Sequence, residues 1–152
     1  MASELLIKND ILISATTATV WDALTNPQQT KKYMYGCETI SDWKPGGELL
    51  WQGEWEGKKM VFAKGKILKI EDGNFLTYTT FDPNNTAIAD APENYLTVTY
   101  SLTVENGQTK LTVTQGDYNN VQEGEKRYND AAAAGGWSSI LEKIKELVEN
   151  PQ

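Results

Sequence analysis

The feature that most constrains the fold is a change of hydrophobic period near the end of the chain. Between residues 39 and 115, several segments place apolar residues at every second position, which is typical of strands with one buried face. After residue 136 the period becomes 3.6, in an apolar stripe formed by Trp137, Ile140, Leu141, Ile144, Leu147 and Val148. Each apolar surface can be buried only against the other. The sequence therefore predicts an α+β fold in which an antiparallel sheet packs on a long C-terminal helix.

The chain before the hairpins predicts one strand and two short helices. Residues 5–13 alternate as a strand, and Thr16 offers a hydroxyl N-cap for the first helix. Asn26 precedes proline, which disfavours the α conformation and ends that helix. Pro27 is well suited to the first position of a second helix that runs to about Tyr33.

Glycine-containing turns divide the middle of the chain into hairpins. The turns are Lys44-Pro45-Gly46-Gly47, Glu56-Gly57, Asp72-Gly73 and Asn106-Gly107. Asn-Gly favours a two-residue type I′ turn with positive φ at both positions. With the first strand, these hairpins predict a curved antiparallel sheet of six or seven strands.

Two segments interrupt this regular pattern. Residues 82–94 are polar and contain two prolines, so we expect a long loop that is either a simple connector or a lid over a binding site. The final helix is expected to begin within residues 131–134 and to end at Asn150. Gly135 and Gly136 inside it cost about 1 kcal/mol each relative to alanine. That cost predicts a bend, or a close approach of the sheet or of a bound molecule.

Length and charge limit the classes of partner. The 152 residues predict a single domain over residues 1–152. The net charge is −7, from 14 basic and 21 acidic residues, and it repels phosphate backbones and anionic lipids. We therefore expect no nucleic acid and no membrane as partner. Residues 1–10 lack the apolar segment of a signal peptide, which predicts a cytoplasmic protein.

The inventory of reactive residues predicts no ordinary catalytic or metal site. The chain has no histidine and a single cysteine, so it lacks the usual general base, zinc-ligand sets and Cys–His pairs. We expect Cys37 to be a buried thiol and expect no metal and no cofactor. Neither glycine pair lies in a phosphate-binding pattern. No residue stands out as catalytic.

Several motifs, in order and over nearly the whole chain, resemble the activator of heat-shock-protein-90 ATPase homologue family. These are residues 20–27 (VWDALTNP), 44–47 (KPGG), 65–70 (GKILKI), 76–79 (LTYT), and Gly136-Trp137 with Leu141. That family belongs to the START-like, birch-pollen-allergen-type helix-grip superfamily. The resemblance implies a sheet wrapped around the last helix, with a cavity between them. Where many relatives carry tryptophan at the end of the second short helix, this chain has Tyr33.

An excess of aromatic residues suggests what such a cavity would hold. We expect Trp51, Trp55, Tyr78, Tyr100 and Trp137, with Phe62, to point into the space between sheet and helix, where they either fill the core or line a site. Tyr33 and Tyr35 would lie at the rim, and the orienting polar groups would come from them and from Tyr78, Thr80 and Gln115. Leu141 and Ile144 would form the helical wall. Gly136 would leave space beside Trp137.

Three functions are compatible with these residues. The first is a non-catalytic binding or carrier domain for an apolar or aromatic small molecule, held between sheet and C-terminal helix. The second, implied by the resemblance, is an interaction module for a chaperone, which an exposed apolar patch would favour. The third is a cavity enzyme of cyclase or lyase type, as found among superfamily relatives, which a buried ionisable residue with a perturbed pKa would favour.

Overall fold

The computed structural model of the chain describes residues 5–150, which form a seven-stranded antiparallel sheet and four α-helices. The strands are β1 (Ile7–Ile13), β2 (Glu38–Ser41), β3 (Glu48–Trp55), β4 (Lys58–Glu71), β5 (Phe75–Thr80), β6 (Leu96–Glu105) and β7 (Gln108–Gly116). The helices are α1 (Thr17–Thr25), α2 (Pro27–Tyr33), α3 (Gly124–Ala133) and α4 (Ser138–Glu149). The order in the sheet is β1-β7-β6-β5-β4-β3-β2. The predicted α+β helix-grip fold, with a sheet of six or seven strands, is confirmed.

The two short helices begin and end where the sequence predicts. The Thr16 hydroxyl accepts a hydrogen bond from the Thr19 amide at 3.2 Å and caps α1. The Asn26 side chain accepts from the Gln28 amide at 2.9 Å, and Pro27 opens α2. α1 and α2 therefore follow β1 almost without a linker.

The hairpin turns also match the sequence. At the turn between β6 and β7, Glu105 pairs with Gln108, and Asn106 and Gly107 have φ values of 52° and 79°. This is the predicted two-residue turn with positive φ at both positions, and it sets the register of the last two strands.

The C-terminal helix differs from its prediction, because it is broken at the glycine pair. Residues 124–133 already form α3, and the apolar stripe after Trp137 belongs to the separate helix α4. Gly135 and Gly136 have φ values of 92° and 60°, which a continuous right-handed helix cannot contain. The final helix is thus twelve residues long, and Trp137 occupies its N-cap position.

β1 also approaches the backbone closely at this break. A Cβ atom on Gly136 would lie 2.6 Å from both the Asn9 Oδ1 and the Ile7 Cγ2 atoms. The Asn9 side chain accepts from the Trp137 amide at 2.9 Å and donates to the Gly135 carbonyl at 3.3 Å. The close approach of the sheet predicted from the glycine pair is confirmed, and Asn9 fixes the start of α4.

The core lies between one face of the sheet and helices α1, α2 and α4. Its fully buried members include Ile13, Val20, Leu24, Leu76, Leu111, Val113, Leu141 and Ile144. Among the described residues, no helix has both the length and the apolar character needed to cross a bilayer.

Candidate functional site: an apolar cavity at one end of the core

A cavity of about 280 Å³ lies at the end of the core next to the start of α4. It is roughly twice the ~150 Å³ of an engineered apolar cavity that binds benzene, and it approaches the size range of small-molecule sites. Its wall is formed by Met34, Tyr35, Cys37, Trp51, Phe62, Ala63, Tyr78, Thr80, Val98, Gln115 and Trp137. The sheet supplies most of these side chains, and the segment after α2 supplies three.

One row of cross-strand neighbours forms the floor of the cavity. Tyr78 on β5 pairs with Val98 on β6, and Val98 pairs with Gln115 on β7. Directly paired residues point to the same face of a sheet, so their side chains lie side by side. The register of three strands therefore brings together residues that are far apart in sequence.

A β-bulge forms the wall on the side of β3 and β4. Trp51 pairs with Ala63, whereas the next residue, Gln52, pairs with Val61, so Phe62 is the extra residue on β4. Strict alternation would send Phe62 and Ala63 to opposite faces. The bulge lets both of them line the cavity.

Hydrogen bonds hold the Trp137 indole at the cavity although its side chain is only partly buried. Its Nε1 donates to the Gln115 Oε1 at 2.8 Å, and the Gln115 Nε2 donates to the Tyr118 hydroxyl at 3.1 Å. The Trp137 ring also meets Tyr100 edge to face, with centroids 5.8 Å apart. The cavity wall near α4 is therefore preorganised.

The Tyr78 phenol at the floor lies against a second buried phenol, Tyr100, in the core behind it. The Tyr78 and Tyr100 hydroxyls are 2.8 Å apart, and the rings meet edge to face at 5.6 Å. Burial is the main reason why the pKa of each phenol is raised above its ordinary value. Burial likewise raises the pKa of the Cys37 thiol. These groups are uncharged at neutral pH.

Tyr35 forms the rim of the cavity. Its side chain is 77% exposed, and its backbone has a φ of 53° just before Gly36. The Lys143 Nζ of α4 lies 4.9 Å from the centre of the Tyr35 ring, at cation–π distance. The rim thus belongs to the segment after α2, and Lys143 contacts the Tyr35 ring without lining the cavity.

Of the residues that the sequence nominated for a site, seven lie together in the cavity wall. They are Tyr35, Trp51, Phe62, Tyr78, Thr80, Gln115 and Trp137. The wall thus contains five of the seven aromatic and polar side chains expected from the sheet, together with one rim tyrosine and the tryptophan before α4.

Two of the nominated aromatic residues lie elsewhere. Tyr33 is 2% exposed, and its hydroxyl donates to the Ala23 carbonyl at 2.8 Å, so it joins α2 to α1 instead of reaching the rim. Trp55 is 62% exposed. It shares a face with Trp51 by alternation, but it lies beside the Glu56-Gly57 turn, where no helix covers the sheet.

Four other nominated residues pack around the cavity without lining it. Tyr100 lies one row further into the core, paired with Leu76 and Val113. Leu141 and Ile144 are fully buried in that core, so the helix contributes little of the wall beyond Trp137. The space beside Gly136 is occupied by β1, so it is not available to a ligand.

Sequence reasoning missed Met34, Cys37, Ala63 and Val98 as members of the wall. Val98 could have been found, because it alternates with Tyr100 on the same strand face. Ala63 depends on the bulge, and Met34 and Cys37 depend on the irregular path after α2. None of those three positions carries a local signal.

The loop over residues 82–94 contributes no residue to the wall. It is held to its surroundings by side-chain hydrogen bonds. Asn84 donates to the Val61 carbonyl at 2.9 Å, and Asn94 accepts from the Gln122 amide at 2.8 Å. Lys64 pairs with Asp90. The structure therefore shows an anchored connector, not a lid over the cavity.

The wall carries no carboxylate, amine or guanidinium. Its polar groups are hydroxyls, one amide, two indole N–H groups and one thiol. Among residues 5–150, no group of three or more acidic or cysteine side chains could hold a metal ion.

This fold and this cavity define a helix-grip domain with an apolar pocket beside its last helix. Residues 14–149 match the family model described as activator of Hsp90 ATPase homolog 1-like protein, and the chain belongs to this family. No curated protein sequence matches it significantly.

Solved structures share the fold over almost the full chain. ChR145 from Cytophaga hutchinsonii is 36% identical, with 99% of this chain and 97% of that one covered and a TM-score of 0.75. NE0264 from Nitrosomonas europaea is 21% identical, with coverages of 98% and 97% and a TM-score of 0.73. The Aha1 dimer from Colwellia psychrerythraea is 16% identical, with coverages of 97% and 98% and a TM-score of 0.70. Because NE0264 and the Aha1 dimer are so distant in sequence, their similarity to this chain shows the fold alone.

Replacing Trp137 by alanine is expected to lower the free energy of unfolding by about 2–3 kcal/mol, below the ~3–5 of a fully buried ring. The lost contacts are the Tyr100 ring and the Gln115 hydrogen bond. Urea denaturation measures the change. Trp55→Ala is the matched control, and because its ring is exposed it should cost about 0.5 kcal/mol or less. Equal losses in the two variants would contradict the anchoring role of Trp137.

Proposed function

We propose that this chain is a non-catalytic binding or carrier domain for an apolar or aromatic small molecule. The observation that carries the proposal is the cavity, which is bounded by Trp51, Phe62, Tyr78 and Trp137 and yet remains open. Apolar pockets with a few polar groups are typical of small-molecule sites. Flat aromatic walls favour a flat ligand, because rings gain contact by stacking or by edge-to-face packing.

The size of the cavity sets the expected affinity. Burying about 200 Å² of apolar ligand surface at roughly 25 cal/mol/Å² yields about 5 kcal/mol before the cost of association. A ligand of this size is therefore expected to bind with micromolar affinity at best, unless hydrogen bonds add to the burial.

The polar groups of the wall favour binding over catalysis. Burial keeps the Tyr78 phenol and the Cys37 thiol protonated, since it raises the pKa of both. The Thr80 hydroxyl makes no side-chain hydrogen bond within the part of the chain that the structure describes. A neutral donor that is not engaged by the protein can orient a ligand but cannot act as a base.

A leucine at position 63 is expected to weaken ligand binding at least tenfold, because its side chain would occupy the cavity next to Trp51. The test is a titration with fatty acids, sterols, flavonoids and aromatic polyketides, followed by intrinsic fluorescence and thermal shift. Trp51 and Trp137 line the cavity and should report binding. Ala132→Leu, the same change on the exposed side of α3, is the matched control and should bind like the wild type.

Two results would contradict this proposal. One is a flat fluorescence signal and no thermal shift across the panel for the wild-type protein. The other is a ligand whose affinity is the same in the wild type and in Ala63→Leu, because such a ligand would bind outside the cavity.

Exposed apolar side chains favour interaction with a chaperone as a second candidate. Trp55, Tyr35 and Ile40 are 62%, 77% and 45% exposed, and the family is named after activation of the Hsp90 ATPase. Exposed large aromatic residues are common in protein interfaces. The direct test is the ATPase rate of an Hsp90 with increasing amounts of this protein and of Trp55→Ser. An unchanged rate at all ratios would exclude the activator role.

A further inference from the structure

Of the two hydroxyl protons of the Tyr78–Tyr100 pair, one makes no hydrogen bond to the part of the chain that the structure describes. Two hydroxyls carry two protons, and the 2.8 Å hydrogen bond between them engages only one. Within residues 5–150 neither hydroxyl has another hydrogen-bond partner. Tyr33, another buried phenol, uses its own proton on the Ala23 carbonyl and makes no hydrogen bond to the pair.

The position of the two rings decides which proton is free. Tyr78 borders the cavity, whereas Tyr100 lies behind it in the core, and both are almost fully buried. If Tyr78 donated to Tyr100, the proton left over would lie in the core without a hydrogen-bond partner, which is costly for a buried donor. If Tyr100 donates to Tyr78, the remaining proton belongs to the phenol at the cavity, where a bound molecule can accept it.

We propose that the ligand carries a neutral acceptor oxygen, such as the carbonyl of an aromatic ketone, aldehyde or quinone, which accepts a hydrogen bond from the Tyr78 hydroxyl. This inference rests on the proposed binding function and narrows its ligand class. The donation from Tyr100 makes Tyr78 a stronger donor, because hydrogen bonds in a chain polarise one another.

The surroundings of the pair favour a neutral oxygen over an anionic one. No lysine or arginine lines the cavity, and the chain has a net charge of −7. A carboxylate placed there would lose its hydration without gaining a cation. A carbonyl oxygen needs only the one donor that Tyr78 supplies.

A pair of probes that differ only in a carbonyl in place of a methylene group tests the inference. The ketone 1-tetralone and its parent hydrocarbon tetralin have two fused rings, which suit a cavity of about 280 Å³. Affinities are measured by calorimetry for the wild type and for Tyr78→Phe. We expect Tyr78→Phe to lose about fivefold to tenfold in affinity for the ketone and to bind the hydrocarbon as the wild type does.

The matched control is Tyr33→Phe, which removes the hydroxyl of a buried tyrosine that does not line the cavity. It should keep the wild-type affinities for both probes.

A second measurement does not depend on any variant. The infrared carbonyl band of 1-tetralone bound to the wild-type protein should lie at a lower frequency than in an aprotic apolar solvent, as expected for a hydrogen-bonded ketone.

The outcomes separate this inference from the function on which it rests. If tetralin binds in the cavity but the ketone band is unshifted and Tyr78→Phe changes nothing, the inference is overturned and the binding function stands. If Thr80→Val, and not Tyr78→Phe, removes the affinity for the ketone, the inference is also overturned, and Thr80 is the donor. If the wild type binds neither probe, the proposed function and the inference both fail.

Discussion

Replacing Gly65 with alanine is expected to destabilise the domain by at least about 3 kcal/mol and to abolish ligand binding. Gly65 is buried on β4, and a Cβ atom there would overlap the carbonyl group of Thr79 on β5. That carbonyl cannot move easily. The backbones of Lys64 and Phe81 are joined by two hydrogen bonds of 2.9 and 2.8 Å, and the Lys66 amide donates to the Thr79 hydroxyl at 2.9 Å.

The loss of binding follows from what the two strands carry. β4 supplies Phe62 and Ala63 to the cavity wall, and β5 supplies Tyr78 and Thr80. Forcing the strands apart would separate these side chains. Urea denaturation and ligand titration of the same variant measure both effects.

Gly73→Ala is the control for this prediction. Gly73 has a φ of 84°, but a Cβ atom there would meet no atom within 4 Å. Its substitution should cost only about 1–2 kcal/mol, from the left-handed backbone conformation, and should leave binding intact. A Gly65→Ala variant that unfolds at the same urea concentration as the wild type would show that β4 and β5 are not in close contact at Thr79.

The domain is expected to lose stability steeply above about pH 10, the ordinary pKa of tyrosine. Burial raises the pKa of Tyr33, Tyr78 and Tyr100 in the folded state above that value. The unfolded chain therefore releases these protons first. The stability that the three neutral phenols contribute is fully present below about pH 10 and is lost as the pH rises toward the raised folded values.

The expected size of this effect is large because the three groups act in the same direction. Each phenol that is ionised only in the unfolded state removes about 1.4 kcal/mol per pH unit, so together they remove about 4 kcal/mol per unit. Urea unfolding at a series of alkaline pH values measures the slope. The near-ultraviolet absorbance of tyrosinate shows whether ionisation accompanies unfolding.

Tyr33→Phe removes one of the three most deeply buried phenols and should reduce the slope by about 1.4 kcal/mol per pH unit. This prediction would be contradicted if all tyrosines of the folded protein ionised near pH 10 with no loss of stability. That result would mean that the three hydroxyls are open to solvent.

The order and type of most elements could be predicted from local sequence. The caps at Thr16 and Asn26 and the Asn106-Gly107 turn depend on backbone conformations and hydrogen bonds made within a few residues. The apolar stripe of α4 and the alternation in β6 are likewise local patterns, and they identify the faces that form the core.

The membership of the cavity could be predicted only in part. Trp51, Tyr78, Thr80 and Gln115 were identified because period two places them on the covered face of the sheet. The same rule misplaced Trp55, since alternation gives the face of a residue but not how far the helices extend over that face. Tyr33 was misplaced because its partner, the Ala23 carbonyl, belongs to another helix.

The sequence by itself therefore determined the helix-grip architecture, the hairpin turns and the concentration of aromatic side chains on the inner face of the sheet. Tertiary structure alone decided that a bulge turns Phe62 and Ala63 to the same side, that β1 occupies the space beside Gly136, and that Tyr78 and Tyr100 share one hydrogen bond. The physical reason is the range of the interactions. Caps, turns and periodicity depend on neighbours along the chain. A cavity is the volume left between packed elements, so its shape depends on the register of the strands, on the part of the sheet that the helices cover, and on how closely the elements approach one another.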